Sequence, residues 1–217
     1  VPDLKEKLRN YKVYVTPHHM GYILGYRGYN WSAFKDGDAQ TPFVEMYSRH
    51  GLAERDMGDY DYLHDMGPRT YEGSIQYGLE LGHKFGLMCS TDQHAGYPGS
   101  YGDGRIGIMA DSLDKDQLWE SLGKRHIMGI TGDKIKVDFS INGATMGDAI
   151  KDAGKRESFV NVEAQNYIDY VDIVKNTTVI ARLSGPFVAE MPSGETVRAK
   201  VRLDFGWNRE EEYVHWL

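Results

Sequence analysis

Residues 85–104 read FGLMCSTDQHAGYPGSYGDG, and how this stretch is interpreted decides the fold. An apolar run from Phe85 to Cys89 passes into Ser90, Thr91, Asp92, Gln93 and His94. The following ten residues, Ala95 to Gly104, carry four glycines and one proline. An apolar strand that empties into Asp-x-His and then loses regular structure is how an α/β protein presents metal ligands at the carboxyl end of a sheet. With Gln93 turned into the wall, Asp92 and His94 leave the strand on the same side and can share or bridge metal ions. The same residues also suit an aspartate capping the loop and a surface histidine. The rest of the chain must therefore be read for ligands that converge on the same edge.

Two earlier stretches supply them. Tyr11 to Thr16 is predicted to be a strand of β-branched and aromatic residues, stopped by Pro17, and it delivers His18 and His19. Adjacent side chains in extended backbone point apart, so one of the pair is expected to ligate and the other to support the ligands or face the loop. Phe43 to Ser48 is a second predicted strand, ending in Arg49, His50 and Gly51. Glu45, between Val44 and Met46, is a costly buried carboxylate unless it is paired or metal-bound, and otherwise belongs on the polar face of an edge strand. His50 is better placed than Glu45 to reach a site above the sheet. Arg27 and Arg105 are candidates to clamp a phosphate or carboxylate, although both equally suit the surface. Gly99, Gly102 and Gly104 do not form a phosphate-binding loop, because neither Lys-Ser/Thr nor a helix follows. Cys89 is read as core. His83 and His126 are explained by helix-end capping, and His64 lies in a polar loop.

The remaining chain sets the organisation. Asp3 to Asn10 is predicted helical, with Leu4 and Leu8 at i,i+4. Tyr71 to Lys84 is predicted helical despite three glycines. Asp114 to Arg125 has the strongest helix pattern, with Asp114 as N-cap and cations at the far end. Ile106 to Ala110 is a further short strand. After His126 the texture changes: Lys134 to Ile141 alternates with period two and runs into Asn142-Gly143, a hairpin signal. Phe159–Ala164, Val171–Lys175, Thr177–Ile180 and Val197–Phe205 continue the pattern without an intervening helix. The expected organisation is an α/β part over residues 1–128 and an antiparallel, sandwich-like β-rich part over 129–217. Asn176-Thr-Thr fits the N-glycosylation pattern.

Composition narrows the function classes. With 217 residues, 41% hydrophobic and 26% charged, the chain reads as ordinary globular protein. A net charge of -7 argues against a sequence-independent nucleic-acid surface. One cysteine excludes an intrachain disulfide framework but does not fix the compartment. No apolar run approaches a membrane span and no signal peptide is recognised, so a soluble cytoplasmic or periplasmic protein is expected. The start at Val1 fits a fragment or processed product.

Three predicted strand exits bearing histidines and carboxylates converge on metal-assisted hydrolysis. Imidazole with carboxylate suits Zn²⁺, Mn²⁺ or Fe, and two ions would activate water and stabilise a developing phosphoryl oxyanion.

These residues also carry a family resemblance. Pro17-His-His-Met-Gly21, Gly28-x-Asn-Trp31, residues 41–51 (TPFVEMYSRHG) and residues 90–99 (STDQHAGYPG) resemble the carboxyl half of the PHP (polymerase and histidinol phosphatase) superfamily. The branch is similar to the group described as domain of unknown function 3604, through the Leu118–Leu122 helix, Thr131-Gly132 and Asn142–Gly147. The resemblance spans about residues 10–150. It implies the carboxyl part of a distorted (β/α)7 barrel whose strand ends hold metal ions, and hydrolysis of phosphate esters. It implies metal roles for Asp92, His94 and one of His18 and His19, with Glu45 and His50 as ligands or supports of ligands. The family's opening His-x-His pair occurs nowhere in these residues. The resemblance therefore implies that an upstream segment or companion chain completes the barrel, or that this polypeptide is a non-catalytic metal-binding or assembly module.

Overall fold

The computed structural model describes residues 2–55, 67–97, 99–100, 103–151 and 154–184. The expected strand at Val197–Phe205 and the loop around His64 lie outside the described residues. Pro2–Leu8 forms helix α1. The following stretch, Tyr11 to Thr16, is extended without a regular ladder: Val15 N–H donates to the Gln40 carbonyl at 2.7 Å, and the Pro17 carbonyl accepts from Glu45 N–H at 3.4 Å. A predicted strand is thus replaced by an irregular ribbon lying beside β1 (Phe43–Ser48).

β1 turns through Arg49 and His50 into β2 (Gly51–Leu52), which pairs with it antiparallel. A 3₁₀ turn at Tyr71–Gly73 leads into α2 (Ile75–Glu80), and β3 (Gly86–Cys89) then pairs parallel to β1. α2 is shorter than its sequence pattern predicts. Ser74 caps it, accepting from Tyr77 N–H, and Gly82 at φ +87° terminates the turn beyond it. The core lies under this three-stranded sheet, where Met20, Trp31, Phe34, Val44, Ala53, Ile75 and Phe85 are buried together. The Trp31 ring stacks on Phe85 at 5.1 Å, and its indole N–H donates to the Ser74 carbonyl, so the aromatic satisfies its polar atom inside the core.

β4 (Arg105–Ile108) and β5 (Ile127–Ile130) pair antiparallel on either side of α3 (Lys115–Gly123). Asp114 caps α3 by accepting from the Asp116 and Gln117 amides. A Cβ on Gly129 would stand 2.5 Å from Cys89 Sγ, so β5 packs directly against β3. β6 (Ile135–Ile141), β7 (Ala144–Thr145) and β8 (Ser158–Ala164) form an antiparallel sheet in the order β7-β6-β8. Asn142 and Gly143 both adopt positive φ, as the predicted tight turn requires. β9 (Tyr170–Lys175) and β10 (Thr178–Ser184) make a further hairpin, turned by Asn176 and Thr177 at positive φ.

The expected (β/α)7 barrel is not what forms. Among the described residues the strands belong to four separate small sheets, one pair of strands is parallel, and no sheet closes. The physical reason is the pairing. After α3 the chain returns antiparallel on β4 instead of extending the parallel β1–β3 sheet, and the Tyr11–Thr16 stretch adds no strand to it. The carboxyl strands are antiparallel as expected. Phe159 (57% exposed), Ile180 (59%) and Leu183 (57%) lie on the exposed sides of these strands. No helix of the described residues is long and apolar enough to cross a membrane.

Candidate metal centre

The parallel β1–β3 pair delivers its chemistry at the carboxyl ends of both strands. Its register shifts between Glu45 and Tyr47, a bulge that re-aims β1 side chains next to the site. Ser90 N–H donates to the Tyr47 carbonyl at 2.9 Å, which ties the exit of β3 to β1. A Cβ on Gly104 would lie 2.3 Å from the Ser90 carbonyl and 2.8 Å from Tyr47 Cδ1, so only glycine lets the returning loop close over this exit. From here Asp92 and His94 leave β3, His50 sits on the β1–β2 turn, and His18 and His19 arrive from the irregular ribbon.

Asp92 is the centre of the arrangement. Its Oδ2 lies 3.2 Å from His50 Nε2 and 3.6 Å from His18 Nε2, and its Oδ1 lies 4.0 Å from His94 Nε2. Two groups of donor atoms share it: His18, His19 and Asp92, and His50, Asp92 and His94, each gathered within 4.8 Å. Both histidines of the 18–19 pair join the site, where extended backbone predicts only one. His19 adopts φ +60°, which swings its ring onto His18 at a centroid distance of 3.6 Å. Asp92 is also left-handed, at φ +45°. Histidine and aspartate tolerate that region better than most residues, and here it is what turns both side chains toward the same point.

The donor set fits a divalent cation on physical grounds. Asp92 Oδ2 is buried and receives no hydrogen bond of acceptable geometry, although imidazole nitrogens surround it. A carboxylate oxygen without a donor is expensive to bury, and a cation among these atoms removes the cost. Donors at about 2.0–2.1 Å around a tetrahedral ion stand roughly 3.3–3.4 Å apart; Asp92 Oδ2 stands 3.6 Å from His18 Nε2 in one group and 3.2 Å from His50 Nε2 in the other, while Asp92 Oδ1 and His94 Nε2 are wider apart at 4.0 Å. The site is graded in exposure: the His50 side chain is 12% exposed and His94 69%. His19, Glu45, Ser48 and His50 line the polar wall of a shallow depression open to solvent, with Met20, Met46 and Ala53 on its apolar wall.

Glu45 stands behind the ligands and belongs to neither donor group. Its Oε2 accepts from His18 Nδ1 at 2.5 Å and its Oε1 from Ser90 Oγ at 2.5 Å, with the carboxylate only 8% exposed. This answers the sequence-level question of how a glutamate between Val44 and Met46 is tolerated: it is paired. A carboxylate on Nδ1 fixes the tautomer that leaves Nε2 free to face Asp92, the arrangement that orients metal-binding histidines. The hydrogen bond to Glu45 also holds the His18 pKa above its ordinary value, against the opposing effect of burial. Burial pulls His19 the other way, with the His18 and Arg27 charges as smaller contributions.

The other candidates lie further out. Arg27 is exposed and packs over the Tyr26 ring at 5.6 Å, close enough for its charge to be felt at His19. Arg105, on β4, donates from Nη2 to the Gly132 carbonyl at 2.7 Å, a contact that ties two segments of the fold together. Cys89 is buried, and that burial pushes its thiol up to about 12. His83 pairs with Asp36 and stacks on Trp31, while His126 pairs with Asp148.

Three residues escape sequence reasoning. Ser90 holds Glu45. Gln93 does not fold into a wall: its Oε1 accepts from Arg49 Nη1 at 3.1 Å and from Ala95 N–H at 2.9 Å, joining the ligand loop to the turn that carries His50. Nothing local in the sequence announces a contact between positions 49 and 93, because the parallel pairing of β1 and β3 creates it.

No family model matches the chain, and no solved structure matches it. Two curated relatives do, both described only as uncharacterized proteins. The chain is 24% identical over 175 residues to one from Chlamydia trachomatis serovar D, covering 70% of this chain and 27% of the relative. It is 25% identical over 150 residues to one from Chlamydia muridarum, covering 61% of this chain and 24% of the relative. The chain thus spans about a quarter of the length of the curated relatives it matches.

Proposed function

We propose that the cluster centred on Asp92 holds divalent metal ions and serves a metal-dependent hydrolase acting on phosphate esters. The observation that carries the reading is the shared carboxylate, Asp92, surrounded by four imidazoles, with a buried oxygen that accepts no hydrogen bond among the described residues. His18, His19 and Asp92 would hold one ion, and His50, Asp92 and His94 a second. Zn²⁺, Mn²⁺ or Fe suits this donor chemistry. When bound, such an ion supplies a water of lowered pKa and positive charge opposite a developing oxyanion. The chain's own residues do the rest. Glu45 orients His18, Ser90 holds Glu45, and Arg27 adds positive charge on the His19 side of the site, where a phosphate's charge must be accommodated.

The resemblance to the PHP superfamily and its domain of unknown function 3604 branch favours phosphate esters over other esters. Within that reading, a segment outside these 217 residues, upstream or on a companion chain, supplies further ligands. The division near residue 128 separates the metal-binding part from a β-rich part. One observation favours a second reading: the two donor groups contain a single carboxylate between them. That charge balance also suits a metal-binding or assembly module with no catalysis. Metal content together with hydrolysis of p-nitrophenyl phosphate distinguishes the two. The hydrolase reading expects bound metal and turnover that chelation abolishes. Bound metal without turnover, when the segments flanking this region are also present, leaves the binding module, and a metal-free protein excludes both.

A further inference from the structure

Arg49 lies on the turn between β1 and β2, directly before His50, and its side chain is held beside the loop that carries Asp92 and His94. Its Nη1 donates to Gln93 Oε1, the acceptor of a neutral amide, and the residue is exposed. Among the described residues no carboxylate pairs with it, whereas Arg182 has Asp172 and Lys5 has Asp38. A guanidinium offers five N–H donors in a fixed fork, and one of them is engaged here. An arginine that pairs with no carboxylate among the described residues, and whose fork is hydrogen-bonded to an uncharged partner one residue from two metal donors, is placed to receive an anion.

We propose that Arg49 grips the phosphoryl oxygens of the substrate at the rim of the Asp92 cluster, as its main anion-binding side chain. The inference rests on the phosphate-ester reading above and deepens it by naming the residue that recognises the charged group. Gln93 is the strut: it sets the direction of the fork, while its second hydrogen bond, from Ala95 N–H, fixes its own carbonyl. A planar fork matches two phosphoryl oxygens at once, which the point charge of a lysine does not. A phosphomonoester, with its dianionic end, fits this contact better than a neutral ester does.

The test uses the full chain loaded with Mn²⁺, with metal content measured by mass spectrometry and inorganic phosphate binding by calorimetry. Arg49→Ala is expected to keep the wild-type metal content and to weaken phosphate binding about 10- to 100-fold, the range for a lost charge-assisted bidentate contact. Arg49→Lys falls between the two, and Gln93→Ala, which keeps the charge but releases the strut, weakens binding less than Arg49→Ala. Unchanged phosphate affinity in Arg49→Ala overturns the proposal. So does loss of metal from that variant, because Arg49 is then a brace for the ligand loop. Absence of phosphate binding in the wild type also overturns it. A wild type that takes up no metal but binds phosphate in an Arg49-dependent way keeps this proposal and defeats the metal reading instead.

Discussion

Glu45→Gln isolates what the carboxylate behind His18 contributes. The amide has the same shape and can still accept from one neighbour, but it loses the charge that holds both His18 Nδ1 and Ser90 Oγ at 2.5 Å. Partners that orient metal-binding histidines are worth about 10- to 100-fold in metal affinity, or roughly 1.4–2.8 kcal/mol. The upper part of that range applies here, because Glu45 is buried and two donors converge on it. The pH dependence supplies a second signature. Glu45 raises the His18 pKa, so in the wild type protons compete with metal at His18 from a higher pH downward. In Glu45→Gln that competition begins at lower pH. The variant's deficit is therefore largest in mild alkali and narrows as the solution is acidified through the His18 titration. Competition of Zn²⁺ between the protein and a chromogenic chelator, from pH 6 to 8.5, reads both effects, with circular dichroism confirming the fold. Equal affinities at pH 8, or a deficit that widens toward acid, would refute the role assigned to Glu45.

Two further predictions concern the scaffold. The Cys89 thiol, pushed up to about 12 by burial, is expected to resist a disulfide reagent at pH 8 in the folded protein and to react quickly once the protein is denatured; rapid labelling of the native chain contradicts the packing of β5 over β3. Gly78→Ala opposes two effects of known size. Helix propensity favours alanine by up to about 1 kcal/mol, but the new Cβ would stand 2.4 Å from the Trp31 ring, and overpacking a core costs about 1–3 kcal/mol. Packing wins, so the thermal midpoint falls; a rise would show that Trp31 is free to move.

The local elements were legible in the sequence where local chemistry determines them. α3 forms where Asp114 and the apolar face predict it, and Asn142-Gly143 turns where its backbone freedom predicts it. Positions 18, 19, 50, 92 and 94, which the fold brings together, each lie just beyond a stretch whose pattern reads as a strand. What sequence could not show is pairing. Nothing in residues 105–130 distinguishes a return onto the parallel β1–β3 sheet from the antiparallel β4–β5 pair that forms, and that choice is what rules out a barrel among the described residues. The His18–His19 pair shows the same limit at the scale of one residue. Alternation assumes extended backbone, and a left-handed His19 reverses the conclusion by bringing both rings to Asp92. Arg49 and Gln93 meet only because β1 and β3 are neighbours in space.

Metal content of the purified chain beside that of Asp92→Asn tests the central claim most directly. Asparagine keeps the size of the side chain and removes the charge shared by both donor groups. After equilibration with Zn²⁺ or Mn²⁺ and dialysis, elemental analysis should find metal retained by the wild type and lost from the variant, with both chains folded. A wild type that retains no metal, or a variant that retains as much as the wild type, would contradict a metal centre built on Asp92.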